Sequence, residues 1–207
     1  MRIISGKFKA RRIIAPKKLP VRPTTDMAKE ALFNILNHRY HFHDISFLDL
    51  FAGTGNISYE FASRGTESIV SVDQNFDCIK FIRKIAEEFE MPIQVIKAEV
   101  FGFLEKTKQT RTIIFADPPY ELNHEKFLKI IELVFENQLL ETGGILIIEH
   151  SKQTDLSESP HFSEVKGYGG NRFSFFENQK KSRSISRILY HINCGPYHLS
   201  SITVTSK

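Results

Sequence analysis

Ser46-Phe47-Leu48-Asp49-Leu50-Phe51-Ala52-Gly53-Thr54-Gly55 reads as a short apolar strand running into a glycine turn, with a helix starting directly behind it at residue 56. In open α/β sheets, ligands bind at such strand-to-helix turns, and the helix start offers amide N–H groups without intrahelical partners. Glycine suits the turn because a side chain there would block a ligand's approach to the backbone. By itself the Gly53-Thr54-Gly55 pair is a weak signal, and a tight turn needs no more. The dinucleotide pattern G-x-G-x-x-G also fails, since Ser58 fills its third glycine position.

Outward from this turn the chain alternates β and α. Strands are expected at residues 46–50, 68–72, 93–96, 112–116 and 144–148, and helices at 27–37, 56–63, 76–89, 101–106 and 125–137. Strands separated by helices imply right-handed crossovers and a mostly parallel sheet covered on both faces. Two final strands, 163–168 and 172–176, flank Gly169-Gly170-Asn171, a hairpin signal that adds an antiparallel C-terminal hairpin. At the other end, residues 2–14 alternate loosely and break at Ser5-Gly6-Lys7, the pattern of a small N-terminal β-hairpin or two short strands. Pro16, Pro20 and Pro23 then make an extended connector, and Thr24-Thr25-Asp26 supplies N-cap candidates for the first helix. The chain therefore divides into a basic hairpin and connector (1–23), an α/β domain (24–177) and a basic tail (178–207).

The 207 residues, 41% apolar and 25% charged, have the composition of an ordinary soluble globular protein. No apolar run approaches the ~20 residues of a membrane span. Met1-Arg2-Ile3-Ile4-Ser5-Gly6 lacks a signal-peptide core, and Cys78 and Cys194 match neither a disulfide framework nor a metal spacing. A cytoplasmic protein without a metal is expected. The net charge of +4 conceals a division: residues 1–22 hold eight basic side chains and no acid, and 178–207 hold five and no acid. The 15 basic and 24 acidic residues between them give the body a net charge of −9. Basic ends on an acidic body suit contact with a polyanion, although basic termini also serve solubility alone. In the N-terminal segment the basic residues alternate with Ile and Phe as in a strand, which favours a structured, phosphate-facing surface.

Three further strand ends carry chemistry. Asp73 closes the second strand, where an acid accepts both hydroxyls of a ribose; a helix-capping role is the plain alternative. Glu99-Val100 after the third strand sets a carboxylate for an adenine amine and an apolar side chain for its ring, or else an ordinary first-turn acid. Asp117-Pro118-Pro119-Tyr120 closes the fourth. An exocyclic base amine is a poor nucleophile because its lone pair is delocalised into the ring. Two acceptors, the Asp117 carboxylate and the Pro118 carbonyl, localise that density on nitrogen, while the prolines stiffen the loop. Tyr120 is placed to stack on a base drawn out of its helix. A purely structural Asp-Pro-Pro turn would need no neighbouring glycine loop. The pairing points to methyl transfer from S-adenosylmethionine onto a nucleobase amine, by direct displacement with no covalent enzyme intermediate. Asp49, Phe51, Ala52, Gly53, Thr54, Gly55, Asp73, Glu99 and Val100 are the expected cofactor contacts.

With Arg22-Pro23-Thr24-Thr25-Asp26, Glu30-Ala31-Leu32-Phe33-Asn34, Ser63-Arg64-Gly65 and Glu149-His150, these motifs resemble the RsmD-type family over residues 1–177. The resemblance implies a Rossmann-like class I S-adenosylmethionine-dependent methyltransferase fold, and methylation of guanine N2 in 16S rRNA of the small subunit. It also implies that the N-terminal hairpin helps bind RNA, through Arg2, Lys7, Lys9, Arg11 and Arg12, with Arg22, Thr24 and Thr25 at the active-site mouth. Glu99 departs from the family's usual Asp, and the resemblance does not extend to residues 178–207. A monomer is expected. Adenine-N6 methylation of DNA or RNA uses the same clamp chemistry, and a non-catalytic RNA-binding assembly factor would keep the same fold.

Overall fold

In the computed structural model, which describes residues 1–16, 19, 25–119 and 122–178, the inner strands of the sheet come from segments with long apolar runs, and the two at its edges are more polar. Strands β1 (Ser46–Leu50), β2 (Ser68–Asp73), β3 (Ile93–Lys97), β4 (Arg111–Ala116) and β5 (Leu140–Ser151) pair in parallel. The last two, β6 (Phe162–Tyr168) and β7 (Asn171–Glu177), form the C-terminal hairpin, and β7 inserts antiparallel between β5 and β6. The resulting order is β3-β2-β1-β4-β5-β7-β6. Strand β5 is longer than its apolar stretch suggested. Leu140 already pairs with Arg111, and a bulge between Arg111 and Ile113 absorbs the Gly143-Gly144 segment.

The pleat divides the apolar residues between two layers. Phe47, Ile69, Ile113, Phe115, Ile145 and Ile147 face helices α1 (Asp26–Asn37), α2 (Asn56–Ser63) and α3 (Phe76–Glu88). Leu48, Leu50, Val70, Val72, Ile114, Leu146 and Ile148 face α4 (Val100–Lys106) and α5 (His124–Glu136). The alternation continues to the strand ends and carries Asp49, Asp73, Asp117 and Glu149 onto the α1–α3 side.

Helix α2 is buried at every position, though Asn-Ile-Ser-Tyr-Glu-Phe-Ala-Ser is half polar. The N-terminal segment covers its outer side. The expected hairpin is present as a narrow arm with a single antiparallel bridge, Arg2 to Arg12, not as two full strands. Much of its backbone bonding is spent on the helix beneath instead of across the arm. Glu60 accepts the N–H groups of Ile4 (2.8 Å) and Ser5 (3.0 Å), and Ser63 accepts those of Phe8 at its hydroxyl and Lys7 at its carbonyl. Gly6 adopts φ +82°, and a Cβ there would run into the Ser63 carbonyl. Lys29, fully buried, donates to the Arg2 carbonyl (2.6 Å) and to Asn56 (2.8 Å) and lies 3.5 Å from Glu60. Burial pushes the Lys29 pKa down, and the Glu60 charge opposes that shift. Ile3 and Ile13 complete the seal by joining the α1–α3 apolar cluster.

Glu60→Ala strands the Lys29 charge in the interior and leaves two arm amides unpaired. We expect a loss of about 3–5 kcal/mol in denaturant unfolding, with faster tryptic cleavage after Lys7 and Lys9. Unchanged stability and cleavage would contradict the arm's anchoring through Glu60.

Candidate active site

The turn after β1 is built by three left-handed residues, Phe51 (φ +60°), Gly53 (φ +54°) and Gly55 (φ +77°). Asp73, at the end of the neighbouring β2, holds it: one carboxylate oxygen accepts the Gly53 N–H (2.8 Å) and the other the Asn75 N–H (2.7 Å). A carboxylate offers about four lone-pair positions, so acceptor capacity remains for a ribose. Glycine at 55 answers to the core. A Cβ there would sit 2.9 Å from the Tyr59 ring and 3.0 Å from Ile82. The sequence reading, which reserved that space for a ligand, is corrected at this position. Ala52, Thr54 and Gly55 are buried, whereas Phe51 and Gly53 reach the surface. Gly55 caps α2 without a side-chain bond.

Asp49 lies two residues below this rim. It is 2% exposed and accepts a 2.5 Å bond from Ser58, whose hydroxyl also meets Ser71 at 2.7 Å. Ser58, which breaks the dinucleotide pattern, is thus the partner of a buried acid. Burial pushes the Asp49 carboxyl up to about 7, against the Ser58 bond and with help from the Asp73 charge.

Glu99 is exposed and caps α4, accepting from the Phe101 (3.1 Å) and Gly102 (2.9 Å) amides. Val100 is buried in the α4–α5 layer; the rings reaching the rim are Phe51 and Phe101, edge to face at 6.5 Å. A cleft of about 540 Å³ between β3 and α4 includes Glu99 but none of the other predicted cofactor contacts.

Asp117 follows β4 directly, and its N–H reaches the Leu50 carbonyl at 3.3 Å, so the clamp continues the β1–β4 ladder to the glycine turn. Burial, then the charges of Glu149 and Asp49, hold its carboxyl well above the usual range. Pro118 is buried and Pro119 exposed; Tyr120 lies outside the described residues. Register places Glu149 of β5 beside Asp117, one step beyond the Ala116–Ile148 pair. Asn171 donates to Glu149 at 2.5 Å. Next to it, buried His150 bonds Ser174 (2.7 Å), and burial lowers its pKa. Of these, Glu149-His150 entered the sequence reading only through the resemblance and Asn171 only as part of a turn. The available signal was an acid closing a buried strand, as at Asp73 and Asp117.

The arm residues are not brought to this rim as one group. Arg2 pairs with Asp26 at the start of α1 (3.3 Å), while Lys7 and Arg11 pack over Phe8 and Phe89, beside the far ends of α2 and α3. The eight-residue α2 separates the two ends by roughly 12 Å. Arg2, Lys7, Lys9, Arg11 and Arg12 are all exposed. Thr25 accepts the Ala28 N–H as the cap of α1, whereas Arg22 and Thr24 lie outside the described residues.

A parallel five-stranded core with an antiparallel hairpin docked on β5, and a glycine turn where β1 ends beside β4, defines a Rossmann-like methyltransferase fold. The 16S rRNA N2 G1207 methyltransferase (RsmC) of Thermus thermophilus, solved with AdoMet and guanosine, shares it. That likeness speaks to the fold alone: TM-score 0.60, 19% identity, 75% of this chain and 44% of that one. The family model described as "Conserved hypothetical protein 95" matches residues 1–177, and the chain belongs to this RsmD-type family. A Bacillus subtilis relative, YlbH, whose name gives it provisionally as an rRNA methyltransferase, is 34% identical over 77% of this chain and 87% of its own. Ribosomal RNA small subunit methyltransferase D of Buchnera aphidicola is 28% identical over 92% and 91%.

A carboxyl raised to about 7 binds its proton more tightly folded than unfolded. Asp49 therefore contributes stability below about pH 4 that disappears as pH rises through 7. We expect the cofactor-free Asp49→Asn protein to gain a few kcal/mol relative to wild type between pH 5 and pH 8, read by chemical denaturation. A constant difference across that range would place an ionised Asp49 in the folded state.

Proposed function

We propose that the chain methylates the N2 amine of a guanine in 16S rRNA of the small ribosomal subunit, using S-adenosylmethionine. One observation carries the reading: the Asp117 N–H bonds the Leu50 carbonyl at 3.3 Å, which sets the clamp against the glycine turn. The Buchnera relative is named an rRNA methyltransferase and the Bacillus one provisionally so, in keeping with this chemistry.

The residues suit the cofactor. Asp49 and Asp117 are both held above the ordinary carboxylate range by burial, so each gains from a cationic neighbour. S-adenosylmethionine is cationic at both its sulfonium and its ammonium, and it supplies an electrophilic methyl group. Asp73 and the Phe51–Gly53 backbone would hold its ribose side, with Phe51 and Phe101 against the adenine. Glu99 would meet the adenine amine only with the lone pairs that capping leaves over.

Asp117 accepts one N–H of the base amine at its carboxylate, and the Pro118 carbonyl accepts the other. Proline at 118 and 119 restricts the backbone, so the acceptors are oriented before the base arrives. As nitrogen gains its new bond it loses a proton, and the Asp117 carboxylate is the base in place to take it. A raised pKa strengthens that role, provided the group is ionised. Arg2 and Arg12 would meet phosphates near the mouth, and Lys7, Lys9 and Arg11 phosphates farther along the strand.

Labelled S-adenosylmethionine incubated with small subunits lacking rRNA methylation, followed by digestion to nucleosides, should yield N2-methylguanosine. Asp117→Ala should cut the rate by about two decades or more, roughly 3 kcal/mol of barrier. Label in N6-methyladenosine, or none in the RNA, would overturn the reading. Neutralising Arg11 and Arg12 together should weaken RNA binding and flatten its salt dependence, with cofactor affinity unchanged; a loss of cofactor affinity would refute a phosphate-binding role.

A further inference from the structure

The rim carries one acid that the methyl-transfer reading does not use. Glu149 ends the apolar run of β5 at the register level of Asp117 and on the same side of the sheet. It is 4% exposed, and its charge is the second-largest cause, after burial, of the raised Asp117 pKa. The two carboxyl groups are therefore electrostatic neighbours. Asn171, at the start of β7, donates its side-chain amide to the Glu149 Oε1 and so orients the carboxylate from the hairpin side. An antiparallel hairpin placed against β5 is what allows this contact.

Once a cationic cofactor beside them holds both groups ionised, two carboxylates side by side accept hydrogen bonds and donate none. The bases differ sharply in what they offer beside an exocyclic amine. Guanine carries a ring N1–H next to its N2 amine. Adenine presents the bare N1 acceptor next to its N6 amine, and cytosine the bare N3 next to its N4 amine. A flipped base is read on this edge. An acceptor placed before a bare ring nitrogen sets lone pair against lone pair with no proton between them, a repulsion strengthened beside a group as buried as Glu149.

We propose that Glu149, oriented by Asn171, is a specificity-determining residue: beside Asp117 it makes the floor of the base site accept only the donor-rich edge of guanine. The proposal rests on the guanine-N2 reading and adds to it a physical reason for guanine over adenine, which the Asp-Pro-Pro-Tyr motif alone does not contain.

The informative probe is 2-aminopurine, which keeps the N2 amine of guanine but has no hydrogen on N1. Once the methylated guanine has been mapped, rRNA is made with guanine or 2-aminopurine at that position, in whichever form the wild type accepts, naked or assembled. The quantity read is the guanine to 2-aminopurine ratio of kcat/KM. Any intrinsic difference in amine reactivity is common to all protein forms and cancels between them. Glu149→Gln, whose amide can donate to a bare N1, should lower the ratio about tenfold or more, while Glu149→Asp keeps it near the wild-type value. A ratio unchanged in Glu149→Gln, with both substrates slowed equally, would show a merely structural glutamate and overturn the proposal. If the glutamine variant does not fold, competition of the two RNAs for the wild type with S-adenosylhomocysteine decides. Guanine should win by about tenfold, and equal affinities overturn the proposal. Wild-type protein that methylates no guanine at all removes the underlying reading instead, a failure visible before any variant is made.

Discussion

The pairing of β1 with β4 is the contact on which the rest of the molecule depends. Leu50 sits opposite Ala116, and one residue farther on the Asp117 amide still reaches the Leu50 carbonyl. Two loops more than 60 residues apart in sequence thereby become neighbours at one end of the sheet. Neither loop is built for the other locally. Register brings them together, and register in turn follows from which face of each strand is apolar.

That end is costly in stability. Asp73, Asp117 and Glu149 stand at one level with Asp49 beneath them, and burial raises both Asp49 and Asp117. A fold selected for stability alone would have no use for them. The row would become favourable with cations and hydrogen-bond donors in it, as the proposed sulfonium donor and guanine edge would supply. On the outer side of α2 the same difficulty is met differently, since Glu60 is covered permanently by Lys29, Arg64 and the arm's own amides. One set of buried acids is satisfied by the chain itself and the other is suited to ligands.

Much of this was legible in the sequence because it is periodic or punctuated. Among the described residues, apolar runs bounded by turn residues gave the seven strands and five α-helices to within a few residues, with β5 the exception because its first part pairs across glycines. What escaped depends on contacts distant in sequence. Nothing around Glu60 shows that residues 4 and 5 will cover it. Gly55 looked like space for a ligand because Tyr59 and Ile82, which need that space, are identified only by packing. Ser58 read as a broken motif until Asp49, nine residues earlier, appeared beneath it. The arm's charges looked like one patch, yet the arm runs the length of α2 and separates Arg2 from Lys7 and Arg11.

The most direct test is a crystal structure of the protein with S-adenosylhomocysteine and guanosine. It should place the nucleoside N2 within about 2.6–3.2 Å of the Asp117 carboxylate, and the cofactor against the Phe51–Gly53 turn with its ribose on Asp73. A cofactor seated elsewhere, for instance in the cleft between β3 and α4, or an Asp117 carboxylate turned away from the base, would contradict the account.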